Sequence, residues 1–134
     1  KLLKEYGLFS ELKKYDKPIF GTCAGLILLS KSGTDNDSKK TGQEFLGKID
    51  ATVNRNAFGR QKDSFSIEID FNEKPFEAIF IRAPAIEKTG KDVDILARHN
   101  NKIVAARQDN VLVTAFHPEL TKDTSIHEYF LDLI

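Results

Sequence analysis

The chain has 134 residues, the size of one domain. Its 20 Lys+Arg offset 20 Asp+Glu, and hydrophobic residues make up 40%. That balance excludes a disordered chain and leaves no net basic field for nucleic acid or an anionic membrane. The one cysteine cannot form an internal disulfide, which points to a reducing, cytoplasmic setting. It and the three histidines show no metal-ligand spacing, so no metal is expected. The longest uncharged apolar stretch, Pro18 to Ser30, is broken by Gly21, Thr22, Cys23 and Gly25 and is too short to span a bilayer. A start at Lys1 with no signal peptide, and a stop at Ile134 within an apolar face, read as a piece of a longer chain.

Leu2, Leu3, Tyr6, Phe9 and Leu12 recur at helical spacing, with Gly7 dividing residues 1–14 into two shorter pieces. Asp16-Lys17-Pro18 breaks the pattern, and Ile19-Phe20 opens an apolar strand. Ala24 to Lys31 is expected to be a helix, and the polar run Ser32 to Glu44 a surface loop. The period then changes to two. Ile49, Ala51 and Val53, then Phe65, Ile67, Ile69 and Phe71, alternate with polar residues as half-buried strands do. Phe76 to Ile81 is nearly continuous apolar sequence, the pattern of a strand covered on both faces. Ile95–Ala97, Ile103–Ala106 and Val111–Phe116 are further strands, with a hairpin turn at Gln108-Asp109-Asn110. Ile126, Tyr129, Phe130 and Leu133 mark a closing helix. Helices at both ends of a strand-rich middle give an α/β architecture with some antiparallel strands.

Gly21-Thr22-Cys23-Ala24-Gly25 carries the strongest chemical signal. A nucleophile between glycines at minus two and plus two, after a strand and before a helix, parallels the G-x-S-x-G elbow. Such a turn strains the middle residue and lifts its side chain out of the sheet. A Cβ at either flank is expected to collide with neighbouring backbone. The helix start is expected to lower the thiol pKa, and the Ala24 N–H to serve as an oxyanion donor. A lone cysteine is more often a small buried apolar residue; the glycine frame reverses that preference.

The elbow needs a base. His117 follows an apolar strand, at the sheet edge where α/β sites form. Glu119, two residues on, can turn back to hold the imidazole's tautomer. On its own His117 reads as a solvated strand-end histidine. His99, in the turn Arg98-His99-Asn100-Asn101, and His127, on the last helix, read as surface residues.

Gly21–Leu29 and Phe116-His117-Pro118-Glu119-Leu120 resemble the class I glutamine amidotransferases. Arg55-Asn56-Ala57-Phe58-Gly59-Arg60-Gln61 with Asp63-Ser64-Phe65, and Phe80-Ile81-Arg82-Ala83-Pro84, resemble more narrowly the glutaminase subunits of pyridoxal 5′-phosphate synthase. The likeness runs from about Pro18 to Phe130. It implies a flavodoxin-like three-layer α/β domain, here a single domain over residues 1–134 without its N-terminal strand–helix–strand unit.

The resemblance implies hydrolysis of L-glutamine to glutamate and ammonia, with Cys23 as nucleophile, His117 as general base and Glu119 as its orienter. It implies glutamine contacts at Arg55, Ile81 and Arg82, no cofactor, and delivery of ammonia to a barrel-shaped synthase subunit. Taken alone, an arginine at a strand end is more often a surface ion-pair partner. The family's Pro-Gly-Gly-Glu-Ser loop, which supplies a second oxyanion donor, has no counterpart in this sequence. Two other readings stay open: a different thiol hydrolase of the same fold, such as a peptidase, and a non-catalytic module that docks a partner.

Overall fold

Gly7 sets where the first helix among the described residues begins. Its φ of 72° is left-handed, a conformation glycine adopts without a Cβ penalty, and α1 (Leu8–Lys14) follows it. The computed structural model describes residues 7–34, 44–58 and 64–134, so the expected helical positions Leu2, Leu3 and Tyr6 lie outside the described residues. Phe9 and Leu12 pack α1 onto the core. At its other end the Lys48 ammonium donates to the carbonyls of Lys13 and Tyr15, both at 2.7 Å, where a helix leaves carbonyls unpaired.

The remaining elements follow in order: β1 (Ile19–Thr22), α2 (Ala24–Leu29), β2 (Ser32–Thr34), β3 (Ala51–Asn54), β4 (Phe65–Phe71), β5 (Lys74–Phe80), β6 (Ala85–Thr89), β7 (Asp94–His99), β8 (Lys102–Gln108) and β9 (Val111–Thr114). A 3-10 turn at Pro118–Leu120 and α3 (Ser125–Leu131) close the chain. Among the described residues seven strands form one sheet in the order β1-β9-β8-β6-β3-β2, with β7 also on β8, while β4 and β5 form a separate hairpin. β1 runs parallel to β9 and β2 parallel to β3; the other pairings are antiparallel. The result is a mixed α/β fold.

Layering can be read at β1, where successive residues face opposite sides. The Phe20 ring meets Phe130 and His127 of α3, at 5.5 and 5.6 Å between centroids. The neighbouring Gly21 faces α2, so closely that a Cβ there would lie 2.6 Å from Leu29 Cδ1 and 2.8 Å from the Gly25 carbonyl carbon. Helices therefore cover both faces of the sheet at this edge. His127 is half-buried by this packing, not a surface residue.

Ser32–Thr34 is a strand, not the start of a loop; residues 35–43 of that expected loop lie outside the described residues. Polar residues suffice because the Ser32 and Thr52 hydroxyls bond across the strands at 2.9 Å, and Gly33 lets Phe45 and Val53 approach its backbone. The β5 strand is not covered on both faces. Among the described residues it pairs with β4 alone, burying Phe76, Ala78 and Phe80 and exposing Glu77 between them. α2 stops at Leu29, where Ser30 turns extended and its hydroxyl donates to Leu26 O at 2.7 Å. The strand expected over Val111–Phe116 ends at Thr114. β6 was not legible as a strand, since only Ala85 and Ile86 of its five residues are buried and apolar. The turn between β8 and β9 is as expected: Gln108 pairs with Val111, and Asp109 takes the left-handed φ of 53°.

Candidate active site

β1 and β9 run parallel, with Thr22 opposite Thr114, so both strands end on the same side of the sheet. Cys23 leaves β1 there, its N–H bonded to Thr114 O at 2.8 Å, and His117 stands three residues beyond Thr114. Two separate sequence motifs are thus brought to neighbouring strand ends.

The elbow geometry at Cys23 is as the glycine frame implies. Its backbone has φ 51° and ψ −104°, a conformation that strains any residue with a Cβ and persists only where the surroundings impose it. Those surroundings are the Thr114 bond on one side and the Cys23 O to Ile27 N–H bond of 3.4 Å on the other. The two flanking glycines are not equivalent, however. Gly21 is required by the approach of α2. A Cβ on Gly25 would meet nothing within 4 Å, so the expected collision there does not exist.

The thiol is held in its protonated form more firmly than expected. Burial pushes its pKa up, the Ala24 N–H against the sulfur pulls the other way, and the Glu119 charge raises it further. Desolvation outweighs the helix-start effect from which a lowered value is expected. The thiol also donates to Ile81 O at 3.7 Å, a contact available only to the protonated sulfur. Ala24 is exposed, with its N–H beside the Cys23 sulfur.

His117 is fixed on both sides of its Cα. Its N–H donates to Ile79 O at 2.9 Å, tying it to β5. Pro118 starts the 3-10 turn, in which Leu120 N–H bonds back to His117 O at 3.2 Å. That tight turn swings Glu119 under the ring, and His117 Nδ1 lies 2.8 Å from Glu119 Oε2. A carboxylate partner places the proton on Nδ1 and leaves the Nε2 lone pair free to take another.

Ile81 and Arg82 follow β5 directly. Ile81 is brought to Cys23 through its carbonyl; Arg82 has a left-handed φ of 47°, unusual for a residue with a long side chain. Arg55 is exposed in the turn after β3, its N–H on Thr34 O at 2.9 Å. That turn is joined to the site through Phe58, whose ring lies 5.4 Å from that of Phe80, the residue before Ile81. Gly59, Arg60, Gln61 and Asp63 of the same motif lie outside the described residues. The Thr114 carbonyl that anchors the elbow, and the Ile81 carbonyl as the thiol's acceptor, were not identified from sequence. Their one signal was a threonine ending an apolar strand, since main-chain carbonyls carry no residue-type mark. Among the described residues no cluster of His, Cys, Asp and Glu could hold a metal, and no helix is long and apolar enough to cross a membrane.

A cysteine on a strained strand–helix elbow, beside a histidine braced by a carboxylate at the next strand's end, is the layout of a thiol–imidazole hydrolase built on an α/β sheet. The model of the SNO glutamine amidotransferase family matches residues 1–134, and the chain belongs to that family. It is 59% identical to the pyridoxal 5′-phosphate synthase subunit PdxT of Archaeoglobus fulgidus, over 92% of this chain and 62% of that protein. It is 52% identical to PdxT of Methanosarcina barkeri, over 100% of this chain and 69% of that one. A crystal structure of a glutamine amidotransferase superposes with a TM-score of 0.86 at 42% identity, covering 98% of this chain and 70% of the other. The chain spans less than two thirds of the length of the A. fulgidus relative.

Proposed function

We propose that this chain carries the thiol centre of a cytoplasmic glutaminase, which releases ammonia from L-glutamine for a synthase subunit that builds pyridoxal 5′-phosphate. The observation that carries the reading is the Cys23 elbow at the same sheet edge as the His117–Glu119 pair. Membership of the amidotransferase family, and the PdxT relatives' description as synthase subunits, support glutamine as substrate and the synthase as partner.

In this reading His117 Nε2 accepts the Cys23 proton, and the sulfur attacks the amide carbon of glutamine. The former amide oxygen gains negative charge beside the Ala24 N–H. The imidazolium then gives its proton to the departing nitrogen, the C–N bond breaks, and ammonia leaves a thioester on Cys23. A water loses its proton to His117 and attacks the thioester; glutamate departs and the thiol is restored. Glu119 stabilises the imidazolium in both halves. Arg55 and Arg82 hold the amino-acid end of the substrate, a guanidinium being suited to a carboxylate, and Ile81 contributes main-chain groups. The scheme calls on no cofactor or metal, and residues 1–134 belong to one domain.

The raised thiol fits this scheme. A sulfur that stays protonated until histidine and substrate are in place does not react indiscriminately. The test is glutamate release by the full-length protein together with its synthase subunit. Turnover that vanishes in Cys23→Ala, and a glutamine-like electrophile that labels wild type but not that variant, are the expected results. Cleavage of peptides without hydrolysis of glutamine would replace the reading with a peptidase.

A further inference from the structure

Three segments of the candidate site each carry a phenylalanine beside the working residue. Phe58 lies three residues after Arg55, Phe80 immediately before Ile81, and Phe116 immediately before His117. Their rings form a continuous line: Phe58 to Phe80 at 5.4 Å and Phe80 to Phe116 at 5.6 Å. Phe80 and Phe116 are fully buried, so that end of the line is fixed by the core. Phe58 is only half-buried and stands on a turn, so it needs support from outside.

His99 supplies that support. The sequence marks it as a solvent-exposed turn residue, yet the structure half-buries it. Asn100 and Asn101, at φ 49° and 64°, make the tight turn that returns β7 into β8 and leaves His99 at the strand end. Its ring stacks on Phe58, 6.2 Å between centroids and 20° between planes, and lies 6.0 Å from Phe80 and 6.3 Å from Phe65. Phe65 in turn stacks on Phe80 at 5.0 Å and 9°. Lys102, opposite His99 in the register, holds its ammonium 5.5 Å from the centre of the Phe58 ring. The rings join β4, β5, β7 and the turn after β3.

We infer that His99 is a positioning residue for substrate: through its stack on Phe58 it holds the Arg55-bearing turn against the Phe80–Ile81 strand end, and so sets where Arg55 stands relative to Cys23. The inference rests on the glutaminase reading above. A ring stack can do this because aromatic pairs have preferred geometries and little internal freedom, whereas a loop arginine alone has much. His99 touches neither the nucleophile nor its base in this scheme. Its loss should therefore weaken capture of glutamine more than the chemistry.

The experiment compares His99→Ala, His99→Gln and His99→Phe in the full-length protein with its synthase subunit. His99→Ala and His99→Gln should raise KM for glutamine by about three- to thirty-fold, well beyond any change in kcat. His99→Phe, which restores a flat ring, should return KM to within about twofold of wild type. The same order should appear in glutamine Kd, measured by calorimetry in a Cys23→Ala background where no turnover occurs. His99→Gln separates the ring from a polar role, because His99 Nε2 also lies 3.4 Å from Asn100 Nδ2. Should His99→Ala melt below assay temperature, His99→Gln and His99→Phe keep the contrast. Unchanged KM and Kd in His99→Gln, or near-wild-type values in His99→Gln but not in His99→Phe, overturns the inference. Wild-type protein that releases no glutamate would instead remove the glutaminase reading and this inference with it.

Discussion

The ends of β1 and β9 lie side by side in the sheet, and they present their residues by opposite means. At the end of β1 the backbone does the work: Cys23 is forced to φ 51°, and the thiol goes where the strained turn sends it. At the end of β9 the backbone of His117 is at φ −108°, and a side-chain bond to Glu119 aims the ring. A thiol placed by backbone strain is harder for its neighbours to re-aim than a ring held by one hydrogen bond. The difference implies that substitutions at the first end are all or nothing for activity, and that those at the second are graded.

Cys23 should show the largest effect. Cys23→Ala should cut turnover by about ten-thousand-fold or more, as loss of a covalent nucleophile does. Cys23→Gly should be equally inactive but more stable than Cys23→Ala by about 1 kcal/mol, because glycine accepts the left-handed backbone that alanine must strain to hold. Thermal melts of the two inactive variants make that comparison. Equal melting temperatures would show that the elbow is relaxed.

His117→Asn should lower kcat by about a hundred- to ten-thousand-fold, the range for removing a general acid–base. Glu119→Gln should cost less and should act in two directions. It weakens support for the imidazolium, slowing turnover. It also removes the negative charge that helps keep the Cys23 thiol protonated, so the pH midpoint for alkylation of Cys23 should fall. The same thiol makes stability depend on pH. Its folded pKa lies above the unfolded one, so below the ordinary thiol range both states hold the proton and nothing is lost. As pH rises through that range the unfolded chain ionises first, and stability falls until the folded thiol titrates too. Cys23→Ala should flatten that alkaline decline. A Glu119→Gln protein with an unmoved alkylation midpoint would show that burial alone holds the thiol.

How much of this was legible depends on how local the cause is. The elbow was legible because Gly21, Cys23 and the helix after it are contiguous in sequence. The His117–Glu119 pair was legible because a proline and a spacing of two make the turn. Strands with period-two patterns, such as β4, were legible for the same reason. What failed depends on partners far away in sequence. The thiol's pKa direction is set by burial, which sums over the whole neighbourhood, and not by the helix start next door. Ser32–Thr34 becomes a strand only because Thr52 and Val53 lie beside it. His99 reads as exposed from Arg98, Asn100 and Asn101, and is covered by rings from β4, β5 and the turn after β3. Approach of Arg55's turn to the site follows from Phe58 on Phe80, a contact no spacing rule foretells.

The two glycines beside Cys23 give the smallest and sharpest comparison. They look alike in sequence, and a symmetric motif invites a symmetric explanation. In space they differ. An alanine methyl at Gly21 would stand 2.6 Å from Leu29 Cδ1 and 2.9 Å from the Gly25 carbonyl oxygen. Leu29 can rotate, but the backbone of α2 cannot yield without dragging the elbow with it. Gly21→Ala should therefore destabilise the protein by about 1–3 kcal/mol, the range for overpacking, and lower turnover through displacement of Cys23. At Gly25 the methyl would enter open space. The residue lies inside α2, where alanine restricts the unfolded chain and favours the helix. Gly25→Ala should leave stability unchanged or raise it, by up to about 1 kcal/mol. If it nonetheless lowers glutamine turnover while raising the melting temperature, the space over Gly25 belongs to substrate or partner, and the second glycine serves the reaction and not the fold.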